Sequence, residues 1–183
     1  MQFSRAGFML EAMNELDEVW SQKLNAALAK AQTAGQGDVA DYLTLRATND
    51  ALRQTSLKWL FGSLIEIAAF ANRKGSAIAV ETENQHCFSF GNSTLQGGQI
   101  RLSQGVRCLT VEAGWTRTPA DGFMRGGALA AARLAHFGMS KHNAELSLIA
   151  EKNLPGWFAV DKNGKREPFD AKDLQRHSQI FLA

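Results

Sequence analysis

The first part of the chain repeats its apolar positions at steps of three and four residues, which is the period of an amphipathic helix. In the first such stretch the apolar positions are Leu10, Met13, Leu16, Val19, Trp20, Leu24, Ala27, Leu28 and Ala31. Gly35 and Gly37 supply a stop for this helix, and Asp38 suits the N-cap of the next one. A short connection of this kind predicts an antiparallel helical hairpin.

The second helix is expected from Val39 to Ala71, a stretch that contains no proline. Its second half is apolar on nearly every side, which is typical of a central helix covered by several neighbours. Asn49–Asp50 and Gly62 are the positions at which a break or kink would fall. Trp20 and Trp59 lie on the apolar stripes of the two helices and are predicted to be core residues.

After Gly75 the apolar period changes to two, as in half-buried strands. Four alternating stretches predict a four-stranded antiparallel meander, at 77–83, 86–90, 99–103 and 106–112. The alanine-rich segment Ala128–Phe137 predicts a helix packed closely on this sheet.

The last quarter of the chain predicts short elements separated by turns. Strands are expected at 145–150 and 157–160, then a turn at Asn163–Gly164. Asp170 suits the cap of a short helix through Leu174, and 179–182 is predicted to be a terminal strand.

Together these elements predict the α+β class in one domain of 183 residues. The expected order is an N-terminal helical hairpin, a central antiparallel sheet, one Ala-rich helix on that sheet and a short β-rich C-terminal tail. The helical portion covers residues 1–75 and the mixed sheet portion covers 76–183. A chain of this length buries enough surface to fold without disulfides.

Charge is nearly balanced, with 20 basic and 18 acidic residues and a net charge of +2. This balance argues against a protein coated with cations for general nucleic-acid binding, so nucleic acid is only a weakly supported partner. Residues 84–183 nevertheless hold twelve basic and eight acidic side chains, a net of +4. We therefore expect any anionic partner to bind the second half.

The chain shows neither an N-terminal secretory pattern nor a membrane span, and a cytoplasmic location without membrane contact is expected. Its longest apolar run, 64–71, is interrupted by Glu66 and is far shorter than the roughly 20 residues that cross a bilayer. Cys87 and Cys108 alternate with apolar neighbours, which predicts reduced and buried thiols.

The segment 114–127 carries glycines, threonine hydroxyls and arginines between a predicted strand and a predicted helix. Guanidinium groups, hydroxyls and the free amides of a helix N-terminus all bind phosphate or carboxylate. The predicted anion-binding residues are Arg117, Thr118, Arg125, Gly126 and Gly127. The alternative is that Asp121 neutralises one of the arginines.

Glu66 lies within an apolar helix, where a buried carboxylate needs a partner or a proton. An internal ion pair between Glu66 and Arg125 is predicted. A different reading groups Glu66 with Glu81 and Glu112 around a divalent metal, as in a phosphodiesterase or nuclease. Against it, the residue two beyond Glu112 is Gly114, where restriction-endonuclease-like cores have a lysine.

No stronger chemical motif is present. The four histidines do not occur at the i, i+4 spacing of metal sites, and both Cys-x-x-Cys and Gly-x-Ser-x-Gly are absent. No catalytic residue, metal or cofactor is therefore predicted. The leading hypothesis is a non-enzymatic binding protein for an anionic or phosphate-bearing partner at 114–127. The alternatives are a homodimer that pairs through the helical hairpin and the metal-dependent phosphodiesterase.

Overall fold

A computed structural model describes residues 5–151, 154–161 and 163–183. Within these ranges, side chains are described from residue 19 onward, except at 119, 125 and 151. The chain divides into two compact units, Met1–Leu52 and Arg53–Ala183. The division falls inside a helix, and not near residue 75, where the sequence changes from helical to alternating.

The first unit is the predicted helical hairpin, which the structure confirms. Helix α1 covers Arg5–Thr33, and helix α2 covers Gly37–Arg73 and continues into the second unit. The turn between them has Gly35 in the left-handed region at φ 69°, which favours glycine. Asp38 lies in the first turn of α2, and α2 runs through 49–50 and 62 without a break.

The second unit contains a seven-stranded sheet in which every strand pairs antiparallel with the next one along the chain. The strands are β1 (Ala79–Phe90), β2 (Ser93–Gln104), β3 (Arg107–Trp115), β4 (Ala130–His136), β5 (Ala144–Glu151), β6 (Leu154–Val160) and β7 (Arg166–Phe169). The two stretches predicted at 77–83 and 86–90 are one strand, β1, because a bulge between Glu83 and His86 shifts its register.

The predicted Ala-rich helix is wrong, because its residues form strand β4. This strand lies inside the sheet, with Ala132 paired to Ala113 of β3 and to Leu146 of β5. Five of its seven residues are buried, among them Ala131 and Ala132 on opposite faces of the sheet, and Arg133 and Ala135 are half-buried. Alanine has a high helix propensity, but pairing on both sides and burial on both faces override that preference.

Strands β5 and β6 lie where strands were predicted, β7 was not predicted, and Asp170 caps helix α3 (Ala171–Leu182) as expected. The Asp170 carboxylate accepts from the amides of Lys172 and Asp173, and the Asp173 side chain accepts from the Asp170 amide. The strand predicted at 179–182 is wrong, because α3 extends to Leu182. Its buried residues recur with helical spacing, at Leu174, His177, Ser178 and Phe181.

The main core of the second unit lies between one face of the sheet and two helices. The residues of α2 in this core are Leu57, Leu60, Leu64, Ala68 and Ala71, and α3 adds Leu174 and Phe181. They pack on the side chains of Ile100, Leu102, Leu109, Val111, Leu134, Leu146 and Leu148. We call this side of the sheet the helix-packed face and the opposite side the outer face. The α+β class is therefore confirmed, with three helices and seven strands in the described chain.

Four side chains predicted to be buried are not. Trp20 and Trp59 are both exposed, so the prediction that they are core residues is wrong. Cys87 is exposed and Cys108 is half-buried, and both are free thiols. In the described residues, none of the helices combines the length and the apolarity that a membrane span requires.

Candidate functional site

The loop predicted to bind an anion holds one of its own carboxylates instead. One Asp121 oxygen, Oδ2, accepts from the amides of Arg117 at 3.1 Å and Thr118 at 2.9 Å, and from the Thr118 hydroxyl at 3.1 Å. Hydrogen bonds from Thr118 and Arg117 lower the pKa of Asp121, partly offset by desolvation. The loop donors at 117 and 118 therefore bind an oxyanion that the chain itself supplies.

Trp115 lies at the base of this loop with two guanidinium groups beside its ring. The Arg117 group is 3.9 Å from the ring centroid and the Arg53 group is 5.7 Å from it. Arg53 Nε also donates to the Leu129 carbonyl at 2.8 Å. Cation–π contacts of this kind favour a fixed position for both arginines.

The glycine end of the loop faces a cation. Gly126 and Gly127 both have left-handed backbone angles, at φ 64° and 73°, so Arg125–Gly127 is kinked, and the Gly126 carbonyl accepts from Arg166 of β7 at 3.1 Å. The side chain of Arg125 lies outside the described residues, so its predicted role stays a prediction. No helix follows at 128, which removes the free helical amides on which the anion site was partly based.

The three glutamates considered as a possible metal site, Glu66, Glu81 and Glu112, do not form one cluster in the structure. Glu66 is exposed on α2, so the prediction that it is buried is wrong, and its ion pair with Arg125 is untested. Glu81 and Glu112 both project from the outer face of the sheet, opposite the face that packs on α2. Among the described residues, no group of three or more His, Cys, Asp or Glu is arranged to hold a metal ion.

A polar network that the sequence did not reveal crosses the outer face of five strands, β1 to β5. Glu112 of β3 is its centre: its Oε1 is 2.8 Å from Nε2 of His86, and its Oε2 is 3.5 Å from an Arg133 nitrogen. His86 Nδ1 faces Glu83 at 3.2 Å, so a carboxylate stands at each ring nitrogen. Arg133 also donates to the Ser89 carbonyl at 2.9 Å.

The register of the sheet explains this network. Gln99 of β2, Glu112 of β3, Arg133 of β4 and Glu145 of β5 are successive cross-strand partners. Side chains paired in this way share a face and lie within contact distance. Because 128–137 was predicted to be a helix, the sequence analysis did not assign Arg133 to the sheet. The alternating pattern of the other strands does not show by itself that these four residues are cross-strand partners.

The hairpin of the first unit exposes a set of large apolar side chains, which we call the hairpin patch. Its members are Val19, Trp20, Val39, Tyr42 and Leu45. Tyr42 and Leu45 are 61% and 60% exposed, and with Val39 they recur every third residue along α2. Within the described residues of this unit only Ala31 and Ala40 are buried. The part of the hairpin whose side chains are described, 19–52, therefore buries little of its apolar surface.

Arg46 of α2 makes a cation–π contact with Trp20 of α1. Its guanidinium group lies 5.0 Å from the centroid of the Trp20 ring. The contact fixes one face of the indole, yet 43% of Trp20 stays exposed. A tryptophan held in place and left open to solvent is typical of an interaction surface.

No family model matches the chain, and no curated protein or solved structure is significantly similar to it. The functional argument therefore rests on the described side chains.

Proposed function

We propose that the chain is a homo-oligomeric interaction protein in which two copies pair through their helical hairpins. The observation that carries this proposal is the hairpin patch: five large apolar side chains are exposed, and among residues 19–52 only two alanines are buried. Helices in proteins are stabilised mainly by packing of an apolar face, and each buried side chain of this size contributes about 1.5–3 kcal/mol. A second layer of helices supplies that packing.

A second copy is the occupant that the charge pattern of α1 favours. The sequence of α1 has acidic residues at 11, 15, 17 and 18, Arg5 before them, and lysines at 23 and 30, so the first half has a net charge of −3 and the second half of +2. Two copies related by a two-fold axis present the same surface to each other. If their α1 helices run antiparallel, the acidic half of one lies along the basic half of the other.

Two antiparallel hairpins joined in this way form a four-helix bundle, in which apolar positions of facing helices interdigitate. Lys23 and Lys30 are exposed on α1, so each is available to the second copy. In the bundle the hairpin patch becomes the core between the two copies, and the charges set their orientation.

Light scattering over a range of protein concentrations tests the pairing. We expect the wild type to have twice the chain mass, and the double variant Tyr42→Ser, Leu45→Ser to have the mass of one chain. Val106→Ser is the matched control, because Val106 is 89% exposed but lies in the second unit. A wild type that is monomeric at every concentration would refute the proposal.

A charge exchange tests the choice of a second copy over another partner. Lys23→Glu with Lys30→Glu leaves Arg5 as the one basic residue in the sequence of α1, and Glu11→Lys with Glu18→Lys makes the helix mostly basic. We expect each variant to pair more weakly with itself and the two to form a mixed dimer when combined. Equal self-association of both variants would contradict the antiparallel arrangement.

We keep anion binding at 114–127 as a second proposal, supported by the loop donors that hold Asp121. An external phosphate or carboxylate would replace the Asp121 oxygen on the amides of Arg117 and Thr118. Phosphate titrations of the wild type, Asp121→Asn and Arg117→Ala test this role. We expect tighter binding with Asp121→Asn and weaker binding with Arg117→Ala, and equal affinities would remove the loop as an anion site.

A further inference from the structure

Two buried histidines meet between the sheet and the C-terminal helix. His136 is the last residue of β4, and His177 lies in the middle of α3. Nε2 of His136 and Nδ1 of His177 are 3.0 Å apart, and the two rings stack with centroids 5.3 Å apart. One ring donates this hydrogen bond and the other accepts it, so the contact requires at least one unprotonated nitrogen.

The surroundings of this pair favour neutral rings. The Phe169 ring is 5.9 Å from that of His177, and the His142 ring stands edge-on to His136 at 6.2 Å. Nδ1 of His136 is buried and has no hydrogen-bond partner among the described residues. Nothing in this contact set offers an acceptor for a second proton.

The charged groups near the pair compensate a positive ring only in part, because Asp173 raises the pKa of His177 and Arg176 lowers it. On α3 these are Asp173 and Arg176, which form an ion pair with each other at 2.8 Å. Asp173 also accepts from the Asp170 amide in the helix cap. At the other end of α3, Arg107 of β3 donates to the Leu182 carbonyl at 2.9 Å, and this contact does not depend on the histidines.

We propose that the His136–His177 pair is an acid-sensitive latch: its protonation releases α3 from the helix-packed face while the sheet stays folded. With both rings protonated, a donor faces a donor and two positive charges lie in a buried site. The helix is free to respond because it contacts the sheet through side chains such as Leu174 and Phe181. The strands, in contrast, are held by ladders of backbone hydrogen bonds.

The electrostatics support this reading. Burial, followed by repulsion from His142, lowers the pKa of His136. Burial, followed by repulsion from His136 and Arg176, lowers the pKa of His177 to about 4 from 6.5. The released helix binds the proton at the ordinary pKa, so docking is favoured above 6.5 and weakens as the pH falls toward 4. At pH 5, His177 alone makes release about 30-fold more favourable than at neutral pH.

Hydrogen exchange of the full chain at pH 7.5 and pH 5 tests the latch. After correction for intrinsic exchange rates, we expect the amides of α3 to lose about 30-fold or more of their protection at pH 5. The amides of β3, β4 and β5 are expected to keep theirs. Unchanged protection of α3, or an equal loss in the sheet, would overturn the proposal.

The double variant His136→Gln, His177→Gln removes the titration and keeps groups that donate and accept hydrogen bonds. We expect protection of its α3 to be the same at both pH values, whereas the wild type loses protection of α3 at pH 5. If the double variant fails to dock α3 at neutral pH, a titration of the wild-type histidine resonances decides. A pKa of His177 near its ordinary value would overturn the latch, and a value near 4 would support it.

Discussion

Replacing Glu112 by glutamine tests whether the polar network on the outer face stabilises the sheet. The substitution keeps the size of the side chain but removes the charge that faces both His86 and Arg133. Glu112 and His86 are each only 18% exposed, so water compensates these contacts less than it would at the open surface.

The expected loss follows from these contacts. A hydrogen bond to a charged group contributes about 1.5–3 kcal/mol, whereas an exposed ion pair contributes about 0–1 kcal/mol. The short contact to His86 belongs nearer the first class and the 3.5 Å contact to Arg133 nearer the second. We expect Glu112→Gln to lower the free energy of unfolding by about 2 kcal/mol, because glutamine retains one acceptor. For a chain of this length that is a decrease in Tm of about 4–8 °C.

Urea denaturation measures this change, with an unchanged m value as the sign that only stability is altered. Glu167→Gln is the matched control, because Glu167 pairs with Lys165 at 2.7 Å but both side chains are about two-thirds exposed, at 67% and 69%. We expect that control to change stability by less than about 0.5 kcal/mol. If both variants lose the same amount, or if Glu112→Gln loses nothing, the network does not stabilise the sheet.

Four further substitutions test the packing, and all of them are measured by urea denaturation. Leu60→Ala removes a side chain with no exposed surface and is expected to lower the free energy of unfolding by about 3 kcal/mol. Trp59→Ala, on the same helix, removes an exposed indole and is expected to lower it clearly less. Equal losses of stability would contradict the described burial. Gly97→Ala is expected to cost about 3 kcal/mol or more, because a Cβ there would collide with the Ala113 carbonyl of β3. Gly62→Ala has no atom within 4 Å of its added Cβ and is expected to stabilise α2 by about 0.5–1 kcal/mol, so a loss of stability there would show that the site is crowded.

The sequence predicted those elements whose local period and packing agree. Helices α1 and α2 and the strands β5 and β6 were found because their apolar spacing shows directly which positions face a neighbour. Asp170 was found as a cap because a carboxylate there bonds to amides only two and three residues away. Features that depend on residues close together in the chain were therefore within reach.

The elements and contacts that the sequence analysis did not predict depend on pairing between residues far apart in the chain. The alanines of β4 predict a helix. The segment is a strand because it pairs with β3 on one side and β5 on the other. That one error also removed Arg133 from the sheet, and with it the row that joins Arg133 to Glu112. It also gave the anion loop a helix N-terminus that the structure lacks. The His136–His177 contact, between residues 41 positions apart, was beyond any local pattern.

The two main proposals predict different responses to acid, because all four histidines lie in the second unit. Between pH 7.5 and pH 5 the hairpin gains no histidine charge, so pairing through it is expected to persist while α3 is released. The monomeric variant Tyr42→Ser, Leu45→Ser separates the two effects, since any mass that it gains at pH 5 must come from surface outside the hairpin patch. If this increase in mass disappears when His136→Gln and His177→Gln are added, release of α3 exposes a second surface through which copies of the chain associate. If wild-type dimers dissociate at pH 5 with α3 still protected, the hairpin itself responds to acid, and the assignment of the pH response to the two histidines is wrong.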